Sequence, residues 1–182
     1  IEFWGFSLST IFMGWFGPAV QSGHMLALNL ASVAYMIPLG VSTAAATRVG
    51  NLLGAQNPWQ KAGWIAVCTG VLVMSMTGLC FWFVPEWLLW PYQAPHIVQE
   101  YALLFLPIAA FFAIFDGAQV VLFGVLRGAG DTAWPALANL VGYYGLGIPL
   151  GLVLAYQWNW GPQGLWIGLA ASLAVVSLIL TG

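Results

Sequence analysis

Two acidic residues of this sequence stand inside long apolar runs, where a charge is costly. Asp116 lies eleven residues before Arg127, and Glu2 lies fifteen residues before Gly17. On a helix these separations span about 16 Å and about 22 Å, so both carboxyl groups are predicted at apolar depth in a membrane. Asp116 is predicted near the middle of its span.

A carboxyl group at that depth is a candidate cation site. Loss of hydration disfavours the charged carboxylate, so a proton, Na+ or an organic cation is needed to neutralise it. Cations that compete for one such group are coupled, because one enters as another leaves, and no covalent chemistry is involved. Two alternatives stay open: Asp116 as a structural carboxylate bonded to a neighbouring helix, and Glu2 as an ordinary charge near a helix end.

Further polar residues lie in apolar runs at spacings that put them on one helix face. Gln119 follows Asp116 by three residues, Asn29 precedes Ser32 by three, and Asn139 precedes Tyr143 by four. These side chains are predicted to line the same cavity, although ordinary hydrogen bonds between helices explain them equally well. His24 and His96 are interpreted as interfacial or structural.

The composition excludes several classes of protein. Of the 182 residues 62% are apolar and 4% are charged, whereas a soluble domain carries about 25% charged residues. A cytosolic enzyme, a nucleic-acid binder and a disordered chain are therefore excluded. Cys68 and Cys80 are expected to be small buried apolar residues, and no metal-ligand spacing, nucleophile-base pair or phosphate loop is found.

The apolar runs predict an all-α integral membrane protein with six transmembrane helices. They cover approximately residues 1–16, 24–53, 62–84, 97–126, 135–156 and 164–180. The basic residues Arg48, Lys61 and Arg127 all lie at two connections, which places those connections in the cytoplasm by the positive-inside rule. The opposite connections carry aromatic anchors: Trp87, Trp90, Tyr92, Tyr156, Trp158 and Trp160.

Proline and glycine indicate kinks and close helix packing. The prolines within predicted spans are Pro38, Pro107 and Pro149. A series of glycines that would allow close packing lies in the fifth span: Gly142, Gly145, Gly147 and Gly151.

Two long motifs resemble the multidrug and toxic compound extrusion (MATE) family, in the bacterial NorM-like branch. The first covers 38–40 and 44–55, and the second covers 124–132 and continues through 139–151. Their order is similar to that of the C-terminal half of the family, so we expect a piece of a longer protein, lacking its N-terminal six-helix lobe. The resemblance implies that loop order and topology depend on Arg48, Gly50, Asn51, Arg127 and Gly128.

The resemblance also implies a function: a twelve-helix antiporter that expels small cationic organic substrates in exchange for H+ or Na+. Glu2 and Asp116 match the family's cation-binding carboxylates. Phe112 stands where some members have a tyrosine, which favours H+ over Na+, and His24-Met25 replaces the usual His-Gln pair.

The expectation is therefore multidrug efflux through the inner membrane by alternating access, with no cofactor beyond the coupling ion and no enzyme activity. Membrane lipid and the missing lobe are the other expected partners, and nucleic acid is not one. The alternatives are a flippase for a lipid-linked oligosaccharide and a structural membrane subunit.

Overall fold

The computed structural model describes residues 2–181 and, of residues 2 and 3, the backbone only. Seven helices follow one another: α1 (Glu2–Gly14), α2 (Pro18–Gly54), α3 (Gln60–Phe83), α4 (Pro85–Leu89), α5 (His96–Gly128), α6 (Ala133–Gln157) and α7 (Pro162–Thr181). A short 3-10 turn, Trp90–Tyr92, continues α4. No strand occurs among residues 2–181.

Five helices are long and apolar enough to cross a membrane: α2, α3, α5, α6 and α7. The predicted all-helical membrane fold is thereby confirmed. The first predicted span corresponds to α1, whose 13 residues fall short of the roughly 20 that a bilayer requires.

Helix α5 lies at the centre and packs against α2, α3 and α7. It runs antiparallel to α3, because Gly63 approaches Val125 while Gly78 approaches Ala110. It runs parallel to α2, because Gly23 of α2 meets the start of α5 and Gly128 of α5 meets the end of α2. These directions agree with the predicted alternation of spans.

The contacts of α5 are close because small residues lie at them. A Cβ on Gly117 would come within 2.8 Å of the Gly70 carbonyl oxygen of α3, and one on Gly124 would overlap the backbone of Ser42 in α2. The Ser42 hydroxyl also donates to the Val120 carbonyl oxygen at 2.7 Å. Backbones that approach this closely pack by dispersion and hydrogen bonding, the forces available between helices in lipid.

The two motifs end α2 and α5 in the same way. Asn57 N–H donates to Leu52 at 2.9 Å and Asp131 N–H donates to Leu126 at 2.9 Å, each after a residue with positive φ, Gln56 or Gly130. This is the Schellman ending, which satisfies the last helical carbonyls. Arg48 and Arg127, which the sequence assigned to connections, therefore lie near the ends of α2 and α5, inside the helices.

The glycines of the two motifs also lie close together, since a Cβ on Gly50 would be 3.4 Å from the Gly128 carbonyl oxygen. Arg48, Asn51 and Arg127 are exposed around this contact. We call this side of the molecule, with Arg48, Lys61 and Arg127, the basic end.

Helix α6 differs from the others in its winding. Two stretches are π-helical, Leu140–Gly147 and Val153–Gln157, and they flank an α-helical turn that contains Pro149. Proline lacks an N–H donor and its ring collides with the carbonyl four residues earlier, which a wider turn relieves. Pro38 and Pro107, by contrast, lie inside α-helices.

The outer surface corrects one prediction. Cys68 and Cys80 are exposed on α3, not buried. In a membrane the outer face of a helix is as apolar as its inner face, so an apolar run does not show which side is buried. The six predicted aromatic anchors are all exposed at the end of the molecule opposite the basic end.

Candidate cation site

Asp116 is buried in the middle of α5, where two neighbouring helices pack against the residues on either side of it. Its side chain is 4% exposed. On one side Gly117 packs onto α3, and on the other the Phe115 carbonyl oxygen accepts a hydrogen bond of 3.0 Å from Ser177 of α7. The backbone around the carboxylate is therefore fixed from both directions.

One turn toward the basic end, Gln119 is hydrogen-bonded to α6. Its Nε2 donates to the Asn139 Oδ1 atom at 2.8 Å, and the side chains are 0% and 6% exposed. The other polar atom of the amide, Oε1, is buried and has no hydrogen-bond partner. Buried polar groups are nearly always paired, so an unpaired carbonyl oxygen requires an explanation.

One turn in the other direction, aromatic rings connect α5 to α6. The Phe6 ring of α1 lies edge-on to Phe112 at 5.8 Å and to Tyr143 at 5.9 Å between ring centres. Phe112 and Tyr143 are both buried. Asp116 thus lies on α5 between two bridges to α6, one polar and one aromatic.

The structure brings together five of the predicted site residues: Phe112, Asp116, Gln119, Asn139 and Tyr143. It does not bring Asn29 to them. Asn29 is exposed on α2 and accepts a hydrogen bond of 2.6 Å from the Tyr92 hydroxyl. Ser32 is exposed as well. The Glu2 side chain lies outside the described residues.

The buried rings of His24 and Trp166 lie edge to face, with their centres 5.5 Å apart. His24 Nε2 lies 3.1 Å from the Thr10 hydroxyl, which itself donates to the Phe6 carbonyl oxygen. The imidazole nitrogen is therefore the donor in the His24–Thr10 bond. His24 Nδ1 and Trp166 Nε1 remain buried without partners. The structural interpretation of His24 fits this position, whereas sequence reasoning missed Trp166, an indole within the last apolar run.

Two surface pockets lie elsewhere. One of about 600 Å³ is at the end opposite the basic end, lined by Glu86, Trp90, Gln93, His96, Gln99, Glu100 and Leu103. His96 is paired there with Glu100 at 3.2 Å. The other, of about 340 Å³, is lined by Trp15, Leu152, Val153, Tyr156 and Gln157. Within residues 2–181, no three His, Cys, Asp or Glu side chains group as a metal centre.

Sequence comparison identifies relatives for almost the whole chain. The MatE family model matches residues 1–153. A probable multidrug resistance protein NorM of Brucella suis biovar 1 (strain 1330) is 40% identical over 185 residues, which cover 97% of this chain and 39% of the relative. The multidrug resistance protein NorM of Burkholderia vietnamiensis is also 40% identical, over 94% of this chain and 40% of its own length.

The fold has a counterpart among solved structures. The crystal structure of the eukaryotic MATE transporter AtDTX14 superposes with a TM-score of 0.92 and 30% sequence identity, over 99% of this chain and 41% of that one. This chain thus spans 39% to 41% of the length of these relatives. On the family match and the NorM relatives together, the chain belongs to the MatE family, as its two motifs predicted.

Proposed function

We propose that this chain is one lobe of a multidrug efflux transporter in the cytoplasmic membrane, and that the full-length protein exchanges H+ or Na+ for small organic cations. The observation that carries the proposal is Asp116, a carboxylate buried in the middle of a membrane-spanning helix. Intramembrane carboxylates are rare and mark ion and substrate pathways. The multidrug resistance names of the NorM relatives support the class of substrate.

Asp116 supplies a single negative charge, and either a coupling ion or a cationic substrate neutralises it. Gln119 and Asn139 provide polar groups beside it, and the rings of Phe112 and Tyr143 provide faces that attract an organic cation. Alternating access requires a second lobe to open and close this site to the two sides of the membrane. Glu2 is proposed as the second cation-binding residue.

The alternative of an oligosaccharide flippase has no comparable support. A phosphate-bearing substrate requires cationic side chains along its path. The three basic residues of this chain all lie at the basic end, away from Asp116.

The test is transport by the purified full-length protein in proteoliposomes. Uptake of a fluorescent organic cation is driven separately by a pH gradient and by a Na+ gradient. Asp116→Asn is expected to lower gradient-driven uptake about tenfold or more, because the neutral amide has no negative charge for a cation to balance and cannot take up a proton.

Asp131→Asn is the matched control. Asp131 is exposed, and its Oδ1 accepts from the Trp134 N–H at 3.1 Å, a bond that asparagine preserves. Its uptake is expected to equal that of the wild type. Full gradient-driven uptake by Asp116→Asn would remove Asp116 from the coupling mechanism.

A further inference from the structure

The unpaired oxygen of Gln119 is the strongest unexplained feature near Asp116. We propose that Gln119 Oε1 is a second oxygen ligand of the coupling cation, beside the Asp116 carboxylate. This inference rests on the proposed function and adds a ligand that decides how tightly the cation binds.

The orientation of the Gln119 amide supports this role. Its Nε2 group is held by the Asn139 Oδ1 atom at 2.8 Å. Because the two polar atoms of an amide point in different directions, this bond turns Oε1 away from Asn139. Oε1 is fully buried and has no donor. A carbonyl oxygen that has left water and gained no donor destabilises the fold until a donor or a cation reaches it.

The position of Gln119 supports it as well. Gln119 and Asp116 are three residues apart on one helix, a spacing that places their side chains on one face with Cβ atoms roughly 5–6 Å apart. Both side chains are buried. Phe112, the neighbour of Asp116 one turn in the other direction, has no oxygen to offer.

The chemistry of the pair fits a monovalent cation. Hard cations bind carboxylate and amide carbonyl oxygens. One carboxylate and one neutral amide give a net charge of −1, which a single Na+ balances. The same geometry also accommodates a proton, because the O–H of a protonated Asp116 carboxyl can donate a hydrogen bond to Gln119 Oε1. In either case the unpaired oxygen gains its partner only when the site is loaded.

A binding measurement tests the inference independently of transport. N,N′-dicyclohexylcarbodiimide reacts with protonated carboxyl groups in apolar surroundings, and mass spectrometry of the α5 peptide quantifies the labelling of Asp116. The full-length transporter in detergent is labelled in two series, one with increasing Na+ at fixed pH and one with varied pH in the absence of Na+.

Gln119→Met keeps the length of the side chain and removes the oxygen. If the cation is Na+, the concentration that half-protects Asp116 rises about tenfold. If the cation is a proton, the midpoint of labelling moves about one unit to lower pH, since the protonated carboxyl loses its acceptor. Either shift supports the proposal, and the series in which it occurs identifies the cation.

Gln99→Met is the matched control. Gln99 lies near the start of the same helix and donates to the Ala94 carbonyl oxygen at 2.7 Å. Its labelling curves are expected to coincide with those of the wild type. Asn139→Leu provides a second variant should Gln119→Met not fold. It keeps the Gln119 side chain but removes the hydrogen bond that orients its amide. It is expected to shift the same labelling curve in the same direction.

Unchanged curves in both series for the folded Gln119 variant, or for Asn139→Leu in its place, would overturn the inference. They would leave the proposed function standing as long as Asp116→Asn still lowers gradient-driven uptake as expected. Full uptake by Asp116→Asn, in contrast, would remove the proposed function and this inference together.

Discussion

Two glycines at helix contacts beside the candidate site, Gly124 and Gly147, face different kinds of atoms. Where α5 meets α2, a Cβ on Gly124 would overlap the carbonyl oxygen of Ser42 and come close to its Oγ atom. One on Gly128 would come within 2.9 Å of Ala46 Cα, so backbone atoms of α2 lie at both positions. Where α6 meets α7 beside the site, the nearest α7 atoms to a Cβ on Gly147 would be Cβ and Oγ of Ser172, at 2.7 Å. The two helices also meet through backbone there, since a Cβ on Gly168 would lie 2.6 Å from the Gly147 carbonyl oxygen. An alanine at Gly124 is therefore opposed by a carbonyl oxygen that only a shift of α2 can remove, whereas an alanine at Gly147 is opposed by a serine side chain.

The two walls of the site also differ in winding. Asp116 and Gln119 stand on α5, which is α-helical throughout. Asn139 and Tyr143 stand where α6 passes from α-helix to π-helix. π-helical turns are frequent at functional sites. We therefore expect α5 to be the fixed wall and α6 to be the wall that adjusts when the cation changes.

The largest expected effect is on the backbone contact. Gly124→Ala places a methyl group on the Ser42 carbonyl oxygen and forces α2 and α5 apart, at a cost of about 3 kcal/mol. The thermal unfolding midpoint of the full-length transporter in detergent measures it. Adding Ser42→Gly removes the Oγ atom but is not expected to restore stability, because the nearest obstructing atom is the backbone carbonyl oxygen.

Gly54→Ala is the control for Gly124→Ala. Gly54 ends α2 and has open space around its missing Cβ, so its midpoint should match the wild type. Recovery of Gly124→Ala by Ser42→Gly would show that the Ser42 side chain, and not its carbonyl oxygen, obstructs an alanine at Gly124.

A smaller effect is expected at the α6–α7 contact. Gly147→Ala meets the Cβ and Oγ atoms of Ser172, which local shifts of α6 partly accommodate, at a cost of about 1 kcal/mol. The double variant Gly147→Ala/Ser172→Gly removes both obstructing atoms and is expected to return the unfolding midpoint toward the wild type. A double variant no more stable than Gly147→Ala alone would contradict Ser172 as the group that obstructs an alanine at Gly147.

The sequence allowed the helices to be predicted because each needs a long apolar run. The helix predicted at 97–126 is observed at His96–Gly128, and the helix predicted at 164–180 is observed at Pro162–Thr181. The orientation of each helix about its axis could not be predicted in the same way. In lipid an outer face and a packed face are both apolar, so Cys68 was wrongly expected inside.

The residues of the site could be predicted from the sequence, but the hydrogen bonds between them could not. Asp116, Gln119 and Asn139 stood out as polar groups in apolar runs. Their helical spacing could not show that Gln119 bonds to Asn139, because that depends on how α5 lies against α6. The same limit explains Asn29, whose spacing matched that of a cavity residue but whose hydrogen bond goes to Tyr92 on the exposed side of α2.

The smallest expected effect separates a packing glycine from one that merely stands among packing glycines. Gly145 was predicted to allow close packing together with Gly142 and Gly147, yet it is exposed, and a Cβ there would touch only Val141 of its own helix, at 3.7 Å. Gly145→Ala should therefore change stability by no more than about 0.5 kcal/mol, as surface substitutions generally do. Gly145 and Gly147 lie in the same π-helical stretch, so replacing glycine by alanine there has the same effect on the winding of the helix in both variants. The difference between their unfolding midpoints therefore measures the contribution of the contact with α7. A loss as large as that of Gly147→Ala would mean that the winding of α6, and not its contact with α7, sets the stability of this wall.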